Sequence, residues 1–176
     1  MRTDWRLLIT RPADENSLLG DLLASAGVFS CGLPLLDMEA LEETPAQREL
    51  MLNLDRYSTV VVVSKPAARF ALQRLDQYWP QPPVRPRWFT VGAASGEILA
   101  DYGLDVDWPQ EGDDSEALLA LDAFQQSLAQ PSPRVLVMRA DTGRDFLART
   151  LAEAGIEVDF LPLYRRFMPE YPDGIL

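Results

Sequence analysis

Histidine is absent from this chain, lysine occurs once (Lys65) and cysteine once (Cys31). Without histidine there is no Ser-His-Asp or Cys-His catalysis, no imidazole metal ligand, and little scope for general-base chemistry near neutral pH. A single cysteine forms no internal disulfide, and with scattered carboxylates it makes no zinc site, so no metal is expected. Positive charge is scarce too. The formal net charge is −11, which speaks against nucleic acid and anionic membranes as partners, because counterion release needs basic patches. No apolar run approaches the length of a membrane span, and Met1-Arg2-Thr3-Asp4 does not open a signal peptide. The expected setting is the cytoplasm. Chemistry here must come from hydroxyls, backbone N–H groups, arginines or carboxylates.

What is present is α/β alternation. The stretch Arg134–Met168 reads as strand, helix, strand: an apolar run at Val135–Met138, a helix carrying Phe146, Leu147, Thr150 and Leu151, a stop at Gly155, and a second strand over Ile156–Met168. Leu7–Leu36 aligns onto it without a gap at an offset of 128 residues. Arg11 then meets Arg139, Ala26-Gly27 meets Ala154-Gly155, and Leu33-Pro34-Leu35 meets Leu161-Pro162-Leu163. A βαβ unit written twice, far apart, predicts two similar lobes, with Leu33–Leu36 and Leu161–Tyr164 on neighbouring strands of a linker.

In chain order, Leu7–Thr10 reads as a buried parallel strand. Asp14–Ser17 forms a capping-type start for a helix with Leu18, Leu19, Leu22 and Leu23. Val28–Leu41 is extended and broken by Pro34, and Pro45-Ala46 opens a helix closing near Tyr57. Thr59–Val63 is a β-branched strand; Pro66 suits the first turn of the helix that follows. Trp79–Arg87 carries too many prolines for regular structure, Trp88–Val91 is a strand, and Gly92–Gly96 turns into a helix ending near Gly103. After Val106–Pro109 and an acidic loop, Ser115-Glu116 starts a helix through about Leu128. The class is α/β with mostly parallel sheet. The middle block is a complete lobe. The outer lobe, with one helix and two strands, is too small to bury its own faces, so Leu18, Leu19, Leu22 and Leu23 should expose apolar surface.

In open α/β sheets a ligand lies beyond the carboxyl ends of the strands. Those loops are Arg11–Asn16, Ser64–Pro66, Gly92–Gly96, Gly112–Ser115 and Arg139–Arg144, and they place Ser64, Ser95, Ser115, Thr142, Arg11, Arg139 and Arg144 together in kind. Helix N-termini with hydroxyls and guanidinium groups suit carboxylate or phosphate; the same residues also serve as plain helix caps. Gly92-Ala93-Ala94-Ser95-Gly96 is not a dinucleotide fingerprint, no P-loop occurs, and Asp113-Asp114 does not end a buried strand as a phosphoacceptor would. Tyr164 stands out before Arg165-Arg166, with packing and catalysis both open to it; strand alternation puts Tyr164 and Arg166 on one face.

Taken together, LLITRP at the start, PLLDMEAL, YSTVVVVS, TVGAASGEIL, SEALL, VLVMRADTGRDFLARTLAEAG and VDFLPLYRR resemble, in order and spacing, the uroporphyrinogen-III synthase family. The resemblance implies two HemD-like α/β lobes joined by a two-stranded linker: residues 1–37 in the first lobe, 38–162 in the second, and 163–176 returning to a first lobe left incomplete, since members continue past the position of Leu176. It implies closure of the linear tetrapyrrole hydroxymethylbilane to uroporphyrinogen III with inversion of ring D and loss of water, with no cofactor. The only partner is this small-molecule substrate with its eight carboxylates, and the full-length protein is a monomer. Tyr164 matches the tyrosine proposed to protonate the departing hydroxide. Ser64 matches the serine ending the middle-lobe strand, and Ser95 stands where members often have threonine. Arg11, Ser64, Gly92, Ala94, Ser95, Ser115, Arg139 and Gly143 become the expected substrate-binding residues. The alternative is a non-catalytic, two-lobed anion-binding module with a hinge.

Overall fold

A computed structural model describes residues 5–172 and 174; the far end of the tail and the first four residues lie outside it. The chain divides into two compact units. One holds the residues up to Glu39 together with those from Arg165 onward, and the other is Ala40–Tyr164.

The first unit contains β1 (Arg6–Ile9), α1 (Ala13–Ser25) and β2 (Phe29–Gly32), with β1 and β2 paired in parallel from Arg6↔Phe29 to Ile9↔Gly32. Asp14 and Glu15 lie in the first turn of α1, where carboxylates offset the helix dipole. The N-cap position is Pro12, which has no side-chain acceptor and makes no side-chain cap bond. Gly27 closes α1 at φ 73°, a left-handed conformation that glycine adopts without strain. The strand was expected to be buried, and here the reading needs correcting. Leu7 and Leu8 are 40% and 53% exposed, and on the helix Leu18 and Leu22 are each 69% exposed. A two-stranded sheet with one helix covers only one of its faces, so among the described residues of this unit only Ile9, Leu33 and Asn16 are buried.

The second unit contains α2 (Pro45–Leu52), a 3-10 turn (Leu54–Arg56), β4 (Thr59–Val62), α3 (Lys65–Tyr78), β5 (Arg87–Thr90) and α4 (Ala93–Asp101). It continues with β6 (Val106–Asp107), α5 (Ser115–Ala120), α6 (Asp122–Leu128), β7 (Arg134–Ala140) and α7 (Phe146–Glu153). The expected single helix from Ser115 to Leu128 is two, broken at Leu121, whose ψ of 121° is extended. Two further strands, β3 (Asp37–Ala40) and β8 (Glu157–Phe167), carry the chain into and out of this unit and are neighbours in its sheet.

The sheet runs β3-β8-β7-β4-β5-β6, and the five strands from β8 to β6 pair in parallel. Val60, Val61 and Val62 are fully buried because helices cover both faces of β4, which explains its unbroken apolar run. On one face α5, α6 and α7 pack Leu118, Phe124, Leu147 and Leu151 against Val61, Phe89, Val135 and Val137. Phe89 and Phe124 meet edge to face at 5.1 Å and 83°. Burying a side chain such as Phe124 contributes roughly 1.5–3 kcal/mol.

The internal echo has a structural register. β1 and β7 begin at Arg6 and Arg134, α1 and α7 end at Ser25 and Glu153, and β2 and β8 begin at Phe29 and Glu157, each pair 128 residues apart. Gly155 repeats the conformation of Gly27 at φ 76°. The echo then fails at Leu-Pro-Leu. Leu161–Tyr164 lie in β8, whereas Leu33–Leu36 form a loop outside any strand, with Tyr171 Oη donating to the Pro34 carbonyl at 2.7 Å. β2 has only β1 to pair with, and its ladder ends there. β8 has β7 on one side and β3 on the other, and they hold it extended through Pro162.

Candidate functional site

Parallel pairing brings the carboxyl ends of the strands of the second unit to one edge. Val62 is opposite Thr90 on β5 and Met138 on β7, and Ala140 of β7 is opposite Tyr164 of β8. From β4 the chain moves through α3 to β5 on one side; on the other side of β4 lies β7, reached only from β6 through α5 and α6. The direction of winding reverses between β4 and β7, and such a point opens a crevice between diverging loops. Ser64 follows β4 there, and Arg139 with the loop to Asp145 follows β7.

Tyr164 reaches this crevice through an irregularity. β8 stays in step with β7 up to Arg139↔Pro162, but the next pair is Ala140↔Tyr164, so Leu163 is an extra residue, a bulge. Simple alternation would set Leu163 and Tyr164 on opposite faces. With the bulge both are buried, at 2% and 1% exposure. Bulges recur beside functional sites because they re-aim a side chain. Phe70 of α3 stacks on the Tyr164 ring, with centroids 5.4 Å apart and planes 19° apart. The Tyr164 hydroxyl meets Ser64 Oγ at 3.1 Å, across 100 residues of sequence. Ser64 is also the N-cap of α3: its Oγ accepts from the Ala67 N–H at 3.1 Å. Cap and functional candidate are therefore one residue.

The other expected residues are placed less directly. Gly92 is the N-cap of α4, with Ala94 exposed in the first turn and Ser95 buried to 6%. Fully buried Thr90 donates from its hydroxyl to the Gly92 carbonyl at 2.9 Å, a support that the sequence reading missed. The two glycines of GAASG answer to packing. A Cβ on Gly92 would lie 3.1 Å from Asp113 Cβ, and one on Gly96 would lie 2.2 Å from Trp108 Cε3. Ser115 is the first residue of α5 but not its cap; Asp114 accepts from the Ala117 N–H at 2.8 Å. Arg139 is engaged: its side chain is 13% exposed, pairs with Asp145 at 2.7 Å and lies 5.2 Å over the Phe160 ring. Gly143 leaves room for that guanidinium, since a Cβ there would sit 3.1 Å from Arg139 Nη2. Arg139, Thr142, Gly143, Ala148 and Phe160 line a concavity of about 710 Å³ beside the crevice. Arg11 belongs to the first unit and pairs with Glu15 at 2.9 Å.

Among the described residues no group of three or more His, Cys, Asp or Glu could hold a metal ion, and no helix is long and apolar enough to cross a membrane. The crevice thus offers hydroxyls, the N–H groups of helix starts and few charges. Such a set can bind anions and donate hydrogen bonds, and it includes a weak acid, the Tyr164 phenol.

An open α/β sheet with ligand chemistry at its switch point is the class that these features define. Solved structures share the fold. A uroporphyrinogen III synthase from the extremely thermophilic bacterium Thermus thermophilus matches with TM-score 0.66 at 17% identity, over 93% of this chain and 63% of that one. The uroporphyrinogen-III synthetase of Helicobacter pylori 26695 matches with TM-score 0.52 at 16% identity, over 98% and 65%. The chain thus spans somewhat less than two thirds of these structures. Among sequences, the uroporphyrinogen-III synthase of Salmonella typhimurium is 33% identical over 172 residues, covering 96% of this chain and 67% of its own length. That of Proteus mirabilis is 30% identical over 169 residues, covering 94% and 82%. The family description "Uroporphyrinogen-III synthase HemD" matches residues 17–175. The chain belongs to this family.

Proposed function

We propose that this protein closes hydroxymethylbilane to uroporphyrinogen III, inverting ring D and releasing water, as a lyase of tetrapyrrole and haem biosynthesis. The observation that carries the reading is the Ser64–Tyr164 hydroxyl pair at the switch point of a chain of this family. The substrate loses hydroxide to form an azafulvene, and a phenol held near that hydroxyl supplies a proton. The eight carboxylates of the substrate call for N–H groups, hydroxyls and some arginines, roles for Gly92, Ala94, Ser95, Ser115, Arg139 and Gly143. No cofactor takes part, and the working protein is a cytoplasmic monomer of two lobes.

In this reading the first unit is part of a lobe whose remaining elements cover Leu7, Leu8, Leu18 and Leu22. The exposure of those residues supports it, as does the greater length of the relatives.

The test is steady-state conversion of hydroxymethylbilane by the chain, scoring the type III isomer against the spontaneously formed type I. Turnover to type III is expected, and Tyr164→Phe should lower kcat by about 10²-fold, the low end for one positioned acid. A chain that binds the substrate but leaves only type I would refute the reading and favour the non-catalytic anion-binding module.

A further inference from the structure

We infer that Ser64, not Tyr164, presents the proton to the departing hydroxide, and that Tyr164 acts through it. The inference rests on the proposed cyclisation and assigns the order of the two hydroxyls.

A serine hydroxyl has two lone pairs and one proton. The Ala67 N–H, 3.1 Å from Ser64 Oγ, can only donate and occupies one lone pair. The contact with Tyr164 Oη, also 3.1 Å, admits two arrangements. In the first, Ser64 donates to Tyr164. The phenol proton then needs another acceptor, yet Tyr164 is 1% exposed and its hydroxyl has no second hydrogen-bond partner among the described residues. An unmade donor inside a protein is costly. In the second, Tyr164 donates to Ser64. Both serine lone pairs are then filled, the Tyr164 hydroxyl and the Ala67 N–H both have acceptors, and the serine's own proton is left over on a residue only half-buried. That proton is the one a ligand in the crevice can reach.

The surroundings suit a relay. The bulge at Leu163 and the Phe70 stack hold the phenol ring, and the first turn of the 14-residue α3 lies at Ser64, where its free N–H groups favour negative charge. The step balances. The pyrrole nitrogen lone pair pushes through the ring to form an exocyclic C=C bond as the C–O bond of the hydroxymethyl group breaks, its electron pair leaving on oxygen. That oxygen takes the Ser64 proton and departs as water, and Ser64 takes the Tyr164 proton. The resulting tyrosinate regains a proton through solvent from the N–H that the cationic pyrrole gives up. The net loss is one water.

The experiment compares Tyr164→Phe, Ser64→Ala, Ser64→Asp, Ser64→Thr and the Ser64→Ala/Tyr164→Phe double variant in the same turnover assay, each checked for folding by a thermal melt. Asp accepts from the Ala67 amide and so keeps the cap of α3, but it has no proton to give, which separates lost chemistry from lost folding. A relay predicts that Ala and Asp each lower kcat by about 10²-fold with little change in KM. It predicts that the double variant is no worse than either single one, and that Thr, which restores a hydroxyl, recovers most of the rate. If Tyr164→Phe is impaired while Ser64→Ala and Ser64→Asp keep wild-type kcat, the phenol reaches the substrate directly and the relay is overturned, with the acid role of Tyr164 intact. Multiplying losses in the double variant would overturn it equally. If Tyr164→Phe itself keeps wild-type kcat while the wild-type chain makes the type III isomer, Tyr164 is a packing residue and the relay alone is overturned; if the wild-type chain makes no type III isomer, the proposed function fails and the relay with it.

Discussion

Replacing Gly96 by alanine sets two effects of known size against each other. Gly96 is the fourth residue of α4, inside the helix, where alanine is favoured over glycine by about 1 kcal/mol. By propensity alone, Gly96→Ala should stabilise the protein. Its Cβ, however, would stand 2.2, 2.7 and 2.8 Å from Trp108 Cε3, Cδ2 and Cζ3, where carbon pairs normally rest at about 3.5–4.0 Å. Three atoms of a rigid bicyclic ring are involved, not the end of a flexible chain, and Pro109 follows directly. Overpacking of this kind costs about 1–3 kcal/mol, and contact with a ring places it near the upper value. The net is a loss of about 2 kcal/mol, or a fall in Tm of roughly 4–8 °C for a chain of this size. A thermal melt followed by circular dichroism reads the shift. Trp108→Leu supplies the control, since Gly96→Ala should be neutral or stabilising in that background and the coupling between the two positions reports the contact. A Gly96→Ala protein melting at or above wild type would show that Trp108 does not rest on α4.

Three further outcomes are expected. Tyr57 Oη donates to Asp159 at 2.7 Å, and Arg134 bonds the same oxygen at 3.1 Å, so Tyr57→Phe should cost about 1–2 kcal/mol in a urea titration near neutral pH. Burial, followed by the bond to Asp159, pushes the Tyr57 phenol well above its ordinary value; the folded chain keeps a proton that the unfolded chain starts to lose near pH 10, so the contribution is whole below that pH and fades above it. The stability gap between wild type and Tyr57→Phe should therefore narrow above about pH 10, and a constant gap would contradict the account. Phe70→Leu removes the stack on Tyr164 but keeps apolar volume, so kcat should fall while Tm moves little; unchanged turnover would mean that the bulge alone sets the ring. Ser95→Ala should raise KM more than it lowers kcat, and the reverse would move Ser95 from holding the substrate to the chemistry.

Local pattern made the order of elements legible. Thr59–Val62 is a strand because four β-branched residues are buried on both faces, and Gly27 and Gly155 end helices because each takes a left-handed φ. Such signals lie within a few residues of the structure they specify, and so does the cap at Ser64. The echo between Arg6–Phe29 and Arg134–Glu157 was visible for the same reason.

What decided the rest was the neighbour across the sheet. Leu33-Pro34-Leu35 and Leu161-Pro162-Leu163 carry the same letters, yet only the second is in a strand, because only β8 has partners on both sides. The exposure of β1 follows likewise from how many elements pack on it, which its own residues do not encode. The bulge that turns Tyr164 inward exists only in register with Ala140 of β7, and the meeting of Tyr164 with Ser64 and Phe70 joins positions about 100 residues apart. Periodicity predicts which face a side chain takes while the ladder is regular. Where the ladder slips by one residue the prediction turns over, and the slip belongs to the pair of strands and not to either sequence.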